Sequence, residues 1–210
     1  MSIICPTVTA YGLDEYTRQT RIAASLADHI HIDLMDGIFA PTRSPEVVDI
    51  WLPHTALCDI HLMYQKPMDQ LDSLIKLRPN MVIIHAEAEV DHMYFVAELH
   101  KVGINAGLAL LADTQIKDVE DIIHSFDHVL VFSGSLGHHG GRADLELLDK
   151  VNEISQEAPE AEIGWDGGIN DNNAKQLEEA GVSVRNGGGF IQKSKDPEKA
   201  YEKLRANLQF

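Results

Sequence analysis

The chain has 210 residues, with 17 Lys and Arg against 33 Asp and Glu for a formal net charge of −16. That length buries one full hydrophobic core and fits one domain better than two. The acidic surplus repels nucleic acid and anionic membrane at long range, so neither is an expected partner, whereas a small anionic substrate held by a few local donors stays compatible. The opening residues lack the basic start and apolar run of a signal peptide, and no stretch reaches the roughly 20 apolar residues of a membrane span, so the expected location is cytoplasmic. Cys5 and Cys58 lie in apolar segments without metal-ligand spacing and are read as buried free thiols.

Short β-rich apolar runs alternate with longer stretches of helical periodicity along the whole chain. Strands are expected at Ser2 to Val8, His29 to Met35, Leu57 to Met63, Met81 to Ala86, Ala106 to Leu111, His128 to Ser133, Glu162 to Asp166 and Ser183 to Asn186. Helices are expected near 13–27, 45–52, 66–78, 89–102, 115–124, 144–157, 171–180 and 196–207. Gly103 and Gly181 mark helix ends, and Asp196-Pro197-Glu198 opens the last helix. Eight alternating units without a composition break predict a parallel sheet covered by helices and closed into one (β/α)8 TIM barrel domain over residues 1–210. An open doubly wound sheet is the alternative. Pro6-Thr7-Val8-Thr9 stands where a dinucleotide-binding half would carry Gly-x-Gly-x-x-Gly, so that half is not expected.

Strand side chains alternate, so His29, His31, Asp33 and Met35 share one face of the second strand while Ile30, Ile32 and Leu34 take the other. Helices pack on the outer strand face, which puts the ionisable row inside the barrel, where it needs hydrogen bonds, charge pairing or a metal. The third strand repeats the pattern with Asp59, His61 and Met63, and the seventh ends in Asp166-Gly167-Gly168. His31, Asp33, His61 and Asp166 thus converge on one cavity as a set suited to Zn²⁺, Fe²⁺, Mn²⁺ or Co²⁺. His29 is read instead as a hydrogen-bonded core residue; His85 is left open between a core and a site-supporting role. Glycine clusters follow the last three strands, at 133–141 with Gly137, Gly140 and Gly141, at Gly167-Gly168, and at Gly187-Gly188-Gly189. Such loops let backbone N–H groups approach an anion and favour a phosphate site.

At these residues the chain resembles the ribulose-phosphate 3-epimerase family. The matching blocks are His31 to Gly37 with Phe39 and Pro41, Asp59 to Met63, His85-Ala86-Glu87, Ala106-Gly107-Leu108, the loop ending Gly140-Gly141, Trp165 to Gly168, and Gly188. The resemblance implies one divalent cation on His31, Asp33, His61 and Asp166, a phosphorylated ketose as substrate, and inversion at C3 through an enediolate, with Asp33 and Asp166 as the two proton-moving carboxylates. Thr7, Met35, Met63 and the loop glycines named above would bind the substrate, and a homo-oligomer is compatible.

The chain departs from the family pattern at Thr7, Thr9 and Ala10, at Pro41-Thr42, at Leu111 to Thr114, at Phe132, in the loop 136–142, and at Asn186 to Phe190. These positions shape substrate recognition, so a hexulose 6-phosphate is an alternative to D-ribulose 5-phosphate. His138, His139 and Arg142 could contact phosphate or face solvent. A related lyase or decarboxylase would need a lysine where His61 stands. A non-catalytic phosphosugar-binding barrel is the remaining alternative, and the retained pair of buried acids counts against it.

Overall fold

A computed structural model describes residues 2–206. Eight parallel strands, β1 (Ile3–Thr9), β2 (His29–Met35), β3 (Leu57–Met63), β4 (Met81–His85), β5 (Asn105–Leu110), β6 (His128–Phe132), β7 (Glu162–Asp166) and β8 (Val184–Gly187), run in sequence order around a closed barrel. β8 pairs back onto β1, with Cys5 opposite Asn186, which decides between barrel and open sheet. The helices are α1 (Leu13–Leu26), α2 (Leu71–Leu77), α3 (His92–Lys101), α4 (Leu148–Glu157), α5 (Ala174–Glu179), α6 (Gly189–Gln192) and α7 (Pro197–Arg205). Their ends follow the expected signals. Asp91 and Asp196 accept N-terminal backbone hydrogens from Tyr94 and Lys199, Pro197 opens α7, and Gly103 and Gly181 sit at φ of 75° and 101° beyond α3 and α5.

Two expected helices do not form. Residues 45–52 make a turn, because Pro45 and Pro53 bracket them and each proline disfavours helix at the residue before it. What remains is too short to nucleate a helix; Val47 and Ile50 are nonetheless buried, which is the spacing that looks helical in sequence. Residues 115–124 wind into two short 3₁₀ turns at Ile116–Asp118 and Ile123–Ser125. Their β-branched Ile116, Val119 and Ile123 are buried at helical spacing but favour helix weakly. Conversely, α6 occupies chain that reads in sequence as a glycine turn.

Aliphatic side chains on the outer strand faces, including Ile30, Ile32, Ile60, Leu62, Val82 and Val129, pack under the helices in the main core. The barrel interior is layered. Midway up, Met81, Ile83, Ala109 and Leu130 form a small apolar plug. Below it, at the N-terminal ends, His29 Nε2 donates to Asp59 Oδ2 at 2.6 Å, Asn80 Nδ2 donates to Asp59 Oδ1 at 2.6 Å, and His128 Nδ1 meets Glu162 at 3.2 Å. His29 is thus the hydrogen-bonded core residue its position suggests, and Cys5 and Cys58 are buried free thiols. Among the described residues no helix is long and apolar enough to cross a membrane.

Because buried Asp59 holds two half-buried donors at the opposite end of the barrel from the cavity, Asp59→Ala is expected to cost about 3 kcal/mol. On a chain of this size that lowers the melting midpoint by roughly 6–12 °C. Calorimetry checks the loss, and cobalt uptake by the folded variant should match the parent.

Candidate active site

The strand register brings the site together. β2 and β3 align Asp33 with His61 and Met35 with Met63; β1 places Thr9 beside Asp33; β7 and β8 align Asp166 with Asn186. At the C-terminal ends of these strands His31, Asp33, His61 and Asp166 are all buried, each offering one ligand atom, and the four atoms lie within 4.8 Å of one another. His61 Nδ1 is 3.1 Å from Asp33 Oδ1 and 3.8 Å from Asp166 Oδ2, while His31 Nε2 is 3.2 Å from Asp33 Oδ1. Thr9, which sequence reasoning left out of the site, donates its hydroxyl to Asp33 Oδ2 at 2.6 Å.

These residues fit a divalent cation. His31 Nε2 is buried and makes no hydrogen bond, since its approach to Asp33 lacks the alignment for one. Two imidazoles and two carboxylates are a donor set suited to such an ion.

The surroundings separate the two acids. Burial pushes both carboxyls up. At Asp33, the close approach of the His31 and His61 rings, His61 by a hydrogen bond, overcomes that and holds it below the ordinary range. At Asp166, the nearby Asp33 charge adds to burial and raises it. His61 is pushed down to about 4, chiefly by burial, against the pull of Asp33.

Above the four lies a cavity of about 330 Å³, lined by Asp33 and Asp166 at its floor and by Thr7, Met63, Phe132, Gly137, Gly140, Gly141, Gly167, Gly168, Gly188 and Gly189. Every expected substrate residue except Met35 therefore reaches the wall. Met35 is sealed behind it, packed with Ala40 and Met63 and accepting from the Thr42 hydroxyl at 3.1 Å. His138 and His139 also line the cavity, whereas Arg142 faces a different groove with Asp144 and Asn170.

Gly167 and Gly168 have φ of 112° and 70°, and a Cβ on them would fall 2.3 Å from Gly134 N and 2.0 Å from Ala143 N. The loops after β6 and β7 thus touch backbone to backbone. Asn186 and Lys193 are wall residues to which the sequence reading gave no contact. Asn186 has both amide atoms buried without a partner, as does the Thr7 hydroxyl. Its inward place on β8 was the available signal. Lys193, exposed at the rim, donates to His139 O at 3.0 Å and is the one lysine or arginine among the described lining residues.

Residues 3–190 match the Ribulose-phosphate 3 epimerase family. The chain belongs to that family. Ribulose-phosphate 3-epimerase of Helicobacter pylori (strain ATCC 700392 / 26695) is 35% identical over 191 residues, 87% of each chain. The Bacillus subtilis (strain 168) ribulose-phosphate 3-epimerase is 32% identical over 190 residues, 86% of this chain and 87% of that one. The crystal structure of 3-hexulose-6-phosphate synthase from Salmonella typhimurium aligns with a TM-score of 0.70, covering 99% of this chain and 98% of that one. Its 14% identity makes that a likeness of fold alone. Within this ribulose-phosphate 3-epimerase family member the strand ends bring His31, Asp33, His61 and Asp166 together, and His61 stands where the lyase alternative would need a lysine.

Zinc or cobalt at a hundred times its dissociation constant adds about 2.7 kcal/mol to the folded state, which raises the melting midpoint of metal-stripped protein by roughly 5–10 °C. A chelator should reverse the rise, and His61→Ala should remove most of it. An equal rise in that variant takes His61 out of the ligand set.

Proposed function

We propose that the chain interconverts D-ribulose 5-phosphate and D-xylulose 5-phosphate, inverting C3 with Asp33 and Asp166 as the two proton carriers. The observation that carries this reading is the pair of buried carboxylates, from β2 and from β7, at the floor of one cavity whose rim is built of glycine loops. A divalent cation held by His31, Asp33, His61 and Asp166 would supply positive charge for the oxygens on which charge builds when C3 loses its proton.

The protein's own groups divide the remaining work. Asp33 and Asp166 lie at the floor of the same cavity, so that one can take a proton from C3 while the other returns one. In the reverse direction the roles exchange. The Thr9 hydroxyl fixes the Asp33 carboxylate. The two acids come from strands on different sides of the cavity, which allows protons to leave and return on opposite faces of C3 without turning the substrate. Unpartnered Asn186 and Thr7 offer donors and acceptors to the sugar hydroxyls. Met63 and Phe132 keep the floor dry. The phosphate end lies toward Gly140, Gly141, Gly168, Gly188 and Lys193, whose ammonium offsets the overall charge of −16 at the one place where the substrate is anionic.

Proton NMR of D-ribulose 5-phosphate with metal-loaded protein in D₂O is the test. Deuterium at C3 together with the epimer is expected. Exchange without epimer would mean one working carboxylate, and neither signal would turn the reading to a hexulose 6-phosphate or to a non-catalytic barrel, in that order. Asp33→Asn and Asp166→Asn should each lower kcat by about 10²–10⁴-fold; near-normal turnover in either sinks the two-carboxylate scheme. Lys193→Met should raise KM about tenfold, the worth of one charge-assisted hydrogen bond, with a smaller change in kcat.

A further inference from the structure

Behind the four candidate ligands runs a line of side chains that the proposed chemistry does not use. His61 Nε2 lies 2.9 Å from His85 Nε2, and His85 Nδ1 lies 3.3 Å from Glu87 Oε2. The other carboxylate oxygen of Glu87 accepts from the Leu111 N–H at 3.1 Å and from the Thr114 hydroxyl. Lys150 of α4 pins that loop in turn, donating to Leu111 O at 2.7 Å and Ala112 O at 2.9 Å. His61 and His85 are fully buried, with Phe132 against both rings and Phe39 4.7 Å from His85, so water does not complete their bonding.

Counting hydrogens exposes what the line is for. From Asp33 to Glu87 there are three contacts, Asp33 with His61, His61 with His85, and His85 with Glu87. Each needs one hydrogen, and the carboxylates at both ends can only accept. Two neutral imidazoles bring two hydrogens. The shortfall of one disappears if a cation takes His61 Nδ1: His61 Nε2–H then donates to His85 Nε2, His85 Nδ1–H donates to Glu87, and every buried atom is satisfied. The direction of the whole line is set at its far end, because Glu87 demands a hydrogen from His85.

We propose that Glu87, acting through His85, is a positioning residue that keeps hydrogen on Nε2 of His61 and so turns the Nδ1 lone pair onto the cation site. This rests on the reading of His31, Asp33, His61 and Asp166 as cation ligands, and it adds two residues to the apparatus that holds the ion. The partner on the second nitrogen of a metal-binding histidine fixes which nitrogen is free to ligate and how the ring is aimed. Here that partner is itself a histidine, whose own choice is made by a carboxylate anchored to the β5 loop.

Glu87→Gln is the discriminating change because it keeps shape and reverses the line. The amide oxygen is held by Leu111 N–H and Thr114, which leaves the NH₂ group facing His85 Nδ1. His85 must then accept there and donate from Nε2, which puts hydrogen on His61 Nδ1, toward the ion. Cobalt titration of metal-stripped protein, followed by visible absorption, should show a dissociation constant about 10–100-fold higher than in the parent. The metal-stripped variant, in which all three contacts then carry a hydrogen, should melt no lower than the metal-stripped parent. Thr114→Val, which loosens the carboxylate without removing it, should weaken cobalt by a few-fold. Nitrogen NMR of the zinc-loaded parent should find hydrogen on His61 Nε2 and on His85 Nδ1. Equal cobalt affinity in the parent and Glu87→Gln, or hydrogen on His85 Nε2 in the zinc-loaded parent, overturns the proposal and leaves the cation site standing. A parent that takes up no cobalt overturns the cation site and this proposal together.

Discussion

A charge inside a closed barrel must be compensated there, since water reaches neither face of the strands that carry it. The interior of this protein is organised around that constraint at two heights. At the lower end each acid has a donor: Asp59 is matched by His29 and Asn80, and Glu162 by His128, whose Nε2 is itself left without a partner. At the upper end His31 Nε2, the Thr7 hydroxyl and the Asn186 amide are all without partners around two carboxylates. The unsatisfied groups thus concentrate where the cavity opens.

The barrel and the four candidate ligands were legible in the sequence because both depend on alternation of period two. β2, β3 and β7 match their expected bounds, and inward alternation alone puts His31, Asp33, His61 and Asp166 on one cavity. The helices at 45–52 and 115–124 were misread because buried apolar residues three and four apart also occur in irregular chain pressed onto a sheet. There Pro45, Pro53 and a run of β-branched residues decide the outcome. Met35 shares the inward parity of Asp33 but sits a layer back, since parity gives a face and says nothing of depth. Glu87 and Asn186 enter the sequence reading only as a match to and a departure from the family pattern, and Lys193 enters it not at all, because what each one touches is hidden for a different reason. Each matters through contacts with loops distant in sequence, such as Glu87 with Leu111 and Thr114, and a single strand pattern carries no trace of them.

Membership in the ribulose-phosphate 3-epimerase family and the geometry of the site bear on different questions. The family match covers residues 3–190 and so includes every strand and the loops after β1 to β7. The site adds how the two acids differ in surroundings within one cavity: Asp33 sits between two imidazoles and accepts from the Thr9 hydroxyl, and Asp166 is buried beside the Asp33 charge. That difference belongs to the protein frame.

The backbone contact between the loops after β6 and β7 divides this cavity into regions of very different tolerance. Gly167 and Gly168 press against Gly134 and Ala143 with no space for a methyl group, so the acid at Asp166 and the glycine-rich rim form one continuous piece of main chain packing. Gly141, by contrast, has open space around it, and there the constraint is its φ of 117° alone. One part of the rim is thus held by the packing of main chain on main chain and the other by the backbone angle of single residues, and the seam between them is two residues wide.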